Sequence, residues 1–168
     1  MNKRVDNIII GFGKAGKTLA NYLGSKGEKT ILIEKSPKMY GGTCINVGCI
    51  PSKFLATKAD RRPFSDISNR DYYKESVVGK KALISKLNKV NYDKVASNDN
   101  VEVIDGLGSF IDDHTINIKT DGGDYQVYGD RIFINTGARP FVPGVEGLEI
   151  SNRIHSSETL MDLEEFPE

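Results

Sequence analysis

The sequence carries no excess charge of either sign. Its 168 residues include 23 Lys plus Arg and 23 Asp plus Glu, so the formal net charge is zero. Nucleic acids and anionic membranes attract proteins through a positive field that offsets phosphate charge. The charge balance therefore argues against both classes of partner, and the length corresponds to roughly one domain.

Long hydrophobic runs are also missing. The apolar run near the amino end is only Ile8–Ile10, with seven residues before it. A signal peptide needs an apolar stretch of about 7–15 residues, and a membrane span needs about 20. We therefore expect a cytoplasmic protein without a membrane partner.

Cysteine and histidine are scarce, with two of each. Two cysteines are too few for a secreted disulfide framework, so a close pair in such a chain indicates redox chemistry or metal binding. A zinc site needs four ligands, and His114 and His155 lie far from Cys44 and Cys49 in the sequence. We therefore predict no metal site and expect both histidines in surface turns or linkers.

The amino-terminal third of the sequence predicts a strand–helix–strand unit. Val5–Ile10 and Thr30–Glu34 are short apolar strands, and Lys14 to about Lys26 is a helix that Gly27 ends. The predicted apolar face of this helix is Ala15, Leu19, Tyr22 and Leu23. Tight connections in such a unit favour parallel strands and a right-handed crossover. The expected fold is α/β, a Rossmann-like domain.

The rest of the chain alternates in the same way. A helix from about Phe54 and a polar passage, Arg61 to Lys74, precede a long helix with an apolar face at Ala82–Leu83, Leu87 and Val90. Its lysines are predicted to be solvated: Lys80, Lys81, Lys86, Lys89 and Lys94. Five strands follow, of which the middle three form an antiparallel meander that interrupts a parallel sheet: Val101–Ile104, Ser109–Ile111, Thr115–Lys119, Tyr125–Tyr128 and Arg131–Asn135.

A glycine-rich loop lies between the first strand and the first helix. In the sequence GFGKAG, Gly11 permits a sharp turn, Gly13 lets the backbone approach a pyrophosphate, and Gly16 lets the helix pack on the strand. The helix amino terminus supplies N–H groups and a positive dipole end for the anion. A carboxylate at the end of the second strand can accept hydrogen bonds from ribose hydroxyls. The predicted adenosine-diphosphate site comprises Gly11, Gly13, Lys14, Ala15, Gly16, Glu34 and Lys35.

The two cysteines lie five positions apart. In a regular helix their Cα atoms would be about 8–9 Å apart, whereas a disulfide needs about 4.4–6.8 Å. If they bridge, the helix must therefore be interrupted between them, for which Gly48 supplies the freedom. Pro51 fits only if the next helix begins near it. Lys53 and a helix amino terminus beside Cys49 would favour its thiolate, although two inert thiols remain an alternative.

Three segments together resemble one enzyme family. The sequence GGTCINVGCIPSK, with GFGKAG before it and Thr136–Gly137 after it, resembles the class I pyridine nucleotide–disulfide oxidoreductases. That family includes dihydrolipoamide dehydrogenase, glutathione reductase and mercuric reductase. The strings IIIGFGKAGKTLA, MYGGTCIN, VIDG and IFINTGA are most similar to the bacterial reactive-chlorine-resistance flavoproteins, which reduce cupric ion.

The resemblance implies FAD as cofactor. Gly11, Gly13 and Gly16 would hold its pyrophosphate, and Glu34 would bind the adenosine ribose. On the flavin side the matching residues are Gly42, Thr43 and Lys53. Gly108 matches a backbone contact to adenine, and Thr136–Gly137 matches a turn that contacts FAD again.

The resemblance also assigns separate roles to the cysteines of a Cys44–Cys49 redox disulfide. Cys49 would face the flavin and form a charge-transfer thiolate, with Lys53 near the reactive edge of the ring. Cys44 would attack a disulfide substrate or deliver electrons to a metal ion. The electrons would come from NADH or NADPH, and the acceptor stays open among a disulfide, lipoamide, and cupric or mercuric ions.

The same resemblance predicts the domain organisation. Residues 1–150 would be the amino-terminal part of an FAD-binding domain, and residues 151–168 a linker toward an NAD(P)H-binding domain that the family has. We expect an amino-terminal fragment of a homodimeric enzyme, inactive by itself. The alternatives are a non-catalytic module that only binds FAD or another nucleotide, and a thioredoxin-type domain, which the CxxxxC spacing disfavours.

Overall fold

A computed structural model describes residues 3–151 and 153–165 of the chain. Within them the chain divides into two compact units. The first comprises Met1–Gly42 and Leu87–Gly137, and the second comprises Thr43–Lys86 and Ala138–Glu168.

The first unit contains one six-stranded sheet in the order β3-β2-β1-β6-β5-β4. Strands β1, β2 and β3 are parallel, as predicted, and β1 also pairs in parallel with β6. Strands β4, β5 and the first half of β6 form the predicted antiparallel meander. The strands are β1 (Lys3–Ile10), β2 (Thr30–Glu34), β3 (Val101–Asp105), β4 (Leu107–Phe110), β5 (Thr115–Thr120) and β6 (Gly123–Ile134).

The α-helices in the described part of the chain are α1 (Lys14–Ser25), α2 (Thr43–Asn46), α3 (Cys49–Arg61), α4 (Asn69–Ala96) and α5 (Ser157–Leu160). Helix α1 ends as predicted, because Gly27 adopts φ +82° directly after it. This mixed α/β arrangement, with a mostly parallel sheet, is Rossmann-like. None of the helices in the described ranges combines the length and the apolar character that a membrane crossing requires.

The core of the first unit lies on both faces of the parallel strands. On β1, Ile8 and Ile10 pack with meander residues such as Ile116, while Ile9 packs with Leu23 of α1 on the opposite face. Side chains alternate along a strand, so strands buried on both faces need the continuous apolar runs seen in β1 and β2.

The prediction of two separate strands at Tyr125–Tyr128 and Arg131–Asn135 is wrong, because β6 runs through both. Gly129, which lies between the two predicted strands, is inside β6. A β-carbon added there would lie 2.7 Å from Cγ1 of Ile8. This glycine therefore permits close packing of two neighbouring strands and does not break one.

The predicted apolar face of α1 is also partly wrong. Ala15 is exposed and Tyr22 is 58% exposed, whereas Gly16, Ala20 and Gly24 are buried. A β-carbon on Gly24 would come within 2.6 Å of a methyl group of Val101. The helix packs on the sheet through its glycines. Because glycine has no side chain, the pattern of apolar side chains does not predict this face.

In the second unit, α4 begins at Asn69, inside the passage that was predicted to be irregular. The Ser68 hydroxyl accepts the N–H of Asp71 at 3.1 Å and its carbonyl accepts the N–H of Tyr72 at 2.9 Å. Ser68 therefore caps the amino terminus of the helix. Because the passage is polar, its composition did not predict that a helix begins there.

The long helix also differs from its predicted amphipathic pattern. Ala82 is exposed and Val90 is 51% exposed, while Lys80, predicted to be solvated, is only 1% exposed. The Lys80 ammonium donates to the carbonyl oxygen of Met161 at 2.5 Å and pairs with the carboxylate of Asp162. A buried lysine needs such partners, since desolvation of an unpaired charge is costly.

Candidate functional site

The phosphate loop between β1 and α1 is shaped by contacts that exclude side chains. Gly11 adopts φ +109°, and a β-carbon there would lie 2.2 Å from the carbonyl oxygen of Asn135. A β-carbon on Gly16 would lie 2.2 Å from the carbonyl oxygen of Gly11 and 3.2 Å from a methyl group of Ile9. These positions accept only glycine, because the loop is packed tightly against the ends of two strands.

The amino terminus of α1 is open to an anion. Its N-cap is Gly13, no side chain caps the helix, and its first turn contains no acidic residue. The first N–H groups of a helix lack partners within it. Together with the helix dipole and the exposed Lys14 and Ala15, they provide a site for a phosphate group.

Asn135 braces the loop from inside, and the sequence analysis did not identify it. Its Nδ2 donates to the carbonyl oxygen of Gly11 at 3.2 Å, and its backbone N–H donates to that of Ile10 at 2.8 Å. The same Nδ2 atom lies 2.7 Å from the place of a β-carbon on Gly16. Only the pairing of β6 with β1 brings this residue to the loop, so local sequence gives no signal for it.

Glu34 at the end of β2 is also tied to the loop. Its Oε2 accepts the N–H of Phe12 at 2.9 Å, and its Oε1 accepts the N–H of Ser36 at 3.1 Å. The residue is 8% exposed, whereas the following Lys35 is exposed. The carboxylate is therefore held in one orientation at the carboxyl edge of the sheet.

A double-glycine turn packs against the same loop. Gly41 and Gly42 adopt φ of +93° and +72°. The N–H of Gly41 donates to the carbonyl oxygen of Phe12 at 2.9 Å, and a β-carbon on Gly42 would lie 2.8 Å from Cα of Gly13. Since Thr43 follows directly in the chain, the cysteine segment leaves the first unit at the phosphate loop.

The predicted interruption of the helix between the cysteines is confirmed. Cys44 belongs to α2 and Cys49 is the first residue of α3, while Gly48 between them has φ −127° and ψ −110°. A β-carbon on Gly48 would lie 3.6 Å from Cα of Cys44 and 3.1 Å from the carbonyl oxygen of Thr43. The backbone therefore folds back on itself and brings the start of α3 beside the start of α2.

The cysteine side chains of this segment face solvent, whereas Ile45 and Pro51 are buried. Both cysteines are thiols and both are exposed, as are Thr43 and Lys53. Cys49 occupies the first turn of α3, with Pro51 as the third helical residue and Lys53 one turn further on the same face. Accessible sulfur atoms at a helix start can exchange electrons with a partner.

The remaining predicted residues fall into two groups. Thr136 is exposed, and its Cα lies 3.3 Å from the place of a β-carbon on Gly11, with Gly137 next at φ +74°. Gly108 lies in β4 over the core, where a β-carbon would sit 3.4 Å from side chains of Ile116 and Ile33. Its small size therefore has a packing explanation independent of any ligand.

Of the two histidines, His114 packs on the antiparallel meander, where its ring stacks on that of Tyr128. His114 is exposed in the turn between β4 and β5, where its Nδ1 lies 3.1 Å from the carbonyl oxygen of Gly129. Within the described ranges, no three His, Cys, Asp or Glu residues form a cluster suited to a metal ion.

Comparison with known proteins identifies relatives over the whole of this arrangement. The profile of the family described as pyridine nucleotide-disulphide oxidoreductase matches residues 5–167. The probable pyridine nucleotide-disulfide oxidoreductase RclA of Escherichia coli K12 is 40% identical over 99% of this chain and 36% of its own length. Dihydrolipoamide dehydrogenase of Chaetomium thermophilum is 35% identical over 96% of this chain and 34% of its own length.

The solved structures agree with the sequence relatives. The Cu(II) complex of the HOCl-induced flavoprotein disulfide reductase RclA from Escherichia coli superimposes with a TM-score of 0.85 and 39% identity. The match covers 98% of this chain and 35% of that one. The chain thus spans about a third of the length of the relatives that it matches.

Proposed function

Because this chain belongs to the pyridine nucleotide-disulphide oxidoreductase family, we propose that it is the FAD-binding and dithiol-bearing segment of an electron-transferring enzyme. Electrons would pass from NAD(P)H through the flavin and the Cys44–Cys49 pair to a disulfide or a metal ion. The carrying observation is the phosphate loop with an open helix start, against which Gly42 packs. The phosphate loop thereby provides an anion site and also packs against the turn from which the cysteine segment begins.

The residues around the loop fit an FAD pyrophosphate. Backbone N–H groups at Gly13, Lys14, Ala15 and Gly16 would bind the phosphate oxygens, because no side chain competes for them. The Glu34 carboxylate uses one backbone donor per oxygen, so each oxygen retains a lone pair for a ribose hydroxyl.

The other predicted FAD contacts carry over to the proposal from family resemblance. Lys35 would lie beside the ribose and Gly108 beside the adenine. Thr136 and Gly137 would contact the cofactor again, and Thr43 and Lys53 would line its flavin side. Bound there, FAD would accept a hydride from NAD(P)H and supply two electrons to the disulfide.

The cysteines would alternate between two states. Reduction of a Cys44–Cys49 disulfide takes two electrons and two protons and yields two thiols. The Cys44 thiolate would then attack a substrate disulfide and release one thiol, and Cys49 would attack the mixed disulfide to release the second. For a metal acceptor, the disulfide would re-form with release of two protons, and the two electrons would leave through Cys44 to one mercuric ion or to two cupric ions.

The relatives support this range of acceptors. Mercuric reductase of Streptomyces lividans is 29% identical over 97% of this chain, and RclA was solved as a Cu(II) complex. We propose that residues 1–150 belong to the FAD-binding domain and that residues 151–168 lead to an NAD(P)H-binding domain. The whole enzyme would act in the cytoplasm as a homodimer.

Two measurements on the chain test the proposal. Titration with FAD, monitored by flavin fluorescence, should show binding that riboflavin does not match, because riboflavin lacks the pyrophosphate. In a glutathione redox buffer, intact mass should show loss of two hydrogen atoms, which Cys44→Ser and Cys49→Ser each abolish. Equal binding of both flavins would contradict the phosphate site, and FAD binding without disulfide formation would favour the non-catalytic nucleotide-binding module.

A further inference from the structure

Tyr40 occupies a central place beside the phosphate loop, directly before the Gly41–Gly42 turn. It is 8% exposed, and its ring centroid lies 4.9 Å from that of Phe12 and 4.9 Å from that of Tyr92 on α4. Phe12 is itself fully buried inside the glycine-rich sequence. The Tyr40 ring thus packs the turn onto the loop from one side and contacts a helix on the other.

The Tyr40 hydroxyl makes a second, directional connection. It donates to Oδ1 of Asp105 at 2.6 Å. Asp105 is the last residue of β3 and stands opposite Glu34 in the strand register. The N–H of the next residue, Gly106, donates to the carbonyl oxygen of Glu34 at 2.8 Å. The Tyr40 side chain therefore links the turn to the end of β3, beside the end of β2 at which Glu34 binds the loop.

The chemistry of this bond favours a fixed geometry. Burial raises the pKa of Tyr40 well above its ordinary value, and the hydrogen bond to Asp105 raises it further. The hydroxyl consequently stays protonated and remains a donor. A hydrogen bond from a neutral donor to a carboxylate is shorter and stronger than one between neutral groups.

A purely hydrophobic role would not require this hydroxyl. Phenylalanine would fill the same space between Phe12 and Tyr92, and a buried hydroxyl is tolerated only with a partner. Asp105 is exposed, so its carboxylate could remain hydrated without Tyr40. The pairing instead connects the turn to the end of β3, which is hydrogen-bonded to Glu34, the residue whose carboxylate binds the loop at Phe12.

We propose that Tyr40 and Asp105 are a positioning pair that holds the Gly41–Gly42 turn on the phosphate loop and thereby sets its affinity for a pyrophosphate-containing dinucleotide. The identity of the ligand in this proposal depends on the proposed function. The geometry of the pair depends only on residues of the first compact unit. The proposal adds two residues outside the GxGxxG and CxxxxC patterns to the site.

Amide hydrogen exchange measured by mass spectrometry tests the geometry without any cofactor. Tyr40→Phe removes the hydroxyl and keeps the ring, and Asp105→Ala removes the acceptor. Each should speed exchange in peptides covering residues 8–16 and 36–43 by about 3–10-fold, which corresponds to one lost hydrogen bond. Tyr92→Phe is the matched control, because it removes a hydroxyl from the same stack and leaves the Tyr40–Asp105 bond in place.

FAD affinity provides the second readout. The Kd should rise about 3–10-fold in Tyr40→Phe and Asp105→Ala, stay at the wild-type value in Tyr92→Phe, and be largely restored in Asp105→Asn, whose amide oxygen can accept the bond. Failure of the wild-type chain to bind FAD would overturn the proposed function. The hydrogen-exchange data would still test whether Tyr40 and Asp105 hold the turn on the loop.

The positioning pair has its own contradicting results. Equal exchange in the Tyr40 and Tyr92 variants would overturn it, as would unchanged exchange in Asp105→Ala. If Tyr40→Phe proved too unstable to fold, Asp105→Ala would be measured in its place, because replacement of the exposed Asp105 leaves the buried rings untouched. Local acceleration confined to the two peptides would then support the pair.

Discussion

Position 11 requires glycine, because any side chain there would clash with a backbone carbonyl oxygen and would also need a positive φ. That oxygen, from Asn135, lies 2.2 Å from where a β-carbon on Gly11 would be. The sequence identified Gly11 through its spacing with Gly13 and Gly16, but it identified neither Asn135 nor Tyr40. Both act through contacts with segments distant in sequence, and local patterns carry no information about such contacts.

Comparison of two glycines separates backbone strain from close approach. Gly11→Ala should destabilise the chain by more than about 3 kcal/mol, since it combines a positive φ with a clash against backbone. Gly27→Ala should cost only about 1 kcal/mol, because Gly27 has φ +82° but nothing within 4 Å. Urea unfolding of both variants gives the two values, and equal losses would contradict the role of the Asn135 contact.

At the scale of elements, the strands of the parallel sheet were predicted closely and the helix faces were not. Strand β2 matches its predicted bounds, because apolar runs between turn residues mark buried strands. The apolar face of α1 and the continuity of β6 were not predicted, because Gly24 and Gly129 allow close packing that apolar patterns do not indicate. Lys80 was misjudged because its partner, Asp162, lies 82 positions away.

The Lys80–Asp162 pair should stabilise the attachment of the α5 segment to α4. Among the described residues, Asp162→Ala leaves the ammonium of Lys80 with the Met161 carbonyl as its one remaining partner, so we expect a loss of about 1–2 kcal/mol. Lys81→Met removes the neighbouring pair between Lys81 and Glu164, both of which are exposed, and should cost clearly less than Asp162→Ala. Thermal unfolding measures both, and a larger loss in Lys81→Met would contradict the assignment.

The turn between β4 and β5 should depend on pH through Asp112. Its carboxylate accepts the N–H groups of His114 at 2.8 Å and Thr115 at 2.7 Å, and these bonds lower the pKa of Asp112. Because the folded value is lowered, this stabilisation is present above the ordinary pKa of Asp and is lost as pH falls through the folded value.

Asp112→Asn should therefore lower the melting temperature at neutral pH and approach the wild type in acid. The exposed neighbour Asp113→Asn is the control for the change in net charge. A difference between Asp112→Asn and the wild type that stays constant from neutral to acid pH would show that the carboxylate charge does not support the turn.

At the scale of the whole molecule, the family and the Rossmann-like fold were predicted from three sequence motifs. The division into two compact units was not predicted, because the second unit joins stretches that are far apart in sequence. The second unit is assembled from two distant stretches, Thr43–Lys86 and Ala138–Glu168.

The chain should self-associate in solution through exposed apolar side chains. Phe64 is 90% exposed and Phe141 is 88% exposed, and large exposed aromatic surface promotes association. Sedimentation velocity should show a weight-average mass that rises with concentration and falls in Phe64→Ser and Phe141→Ser. Tyr22→Ser, at a side chain 58% exposed, is the control, and a monomer at every concentration would contradict the prediction.

The brace that Asn135 supplies reaches Gly11 across 124 positions of sequence. A nascent chain emerging from the ribosome therefore presents its glycine loop long before the amide that braces it has been synthesised. Contacts of such separation form late in folding. The dinucleotide that we propose for this loop would therefore bind only after β6 has paired with β1, and its binding would stabilise a sheet that has already formed.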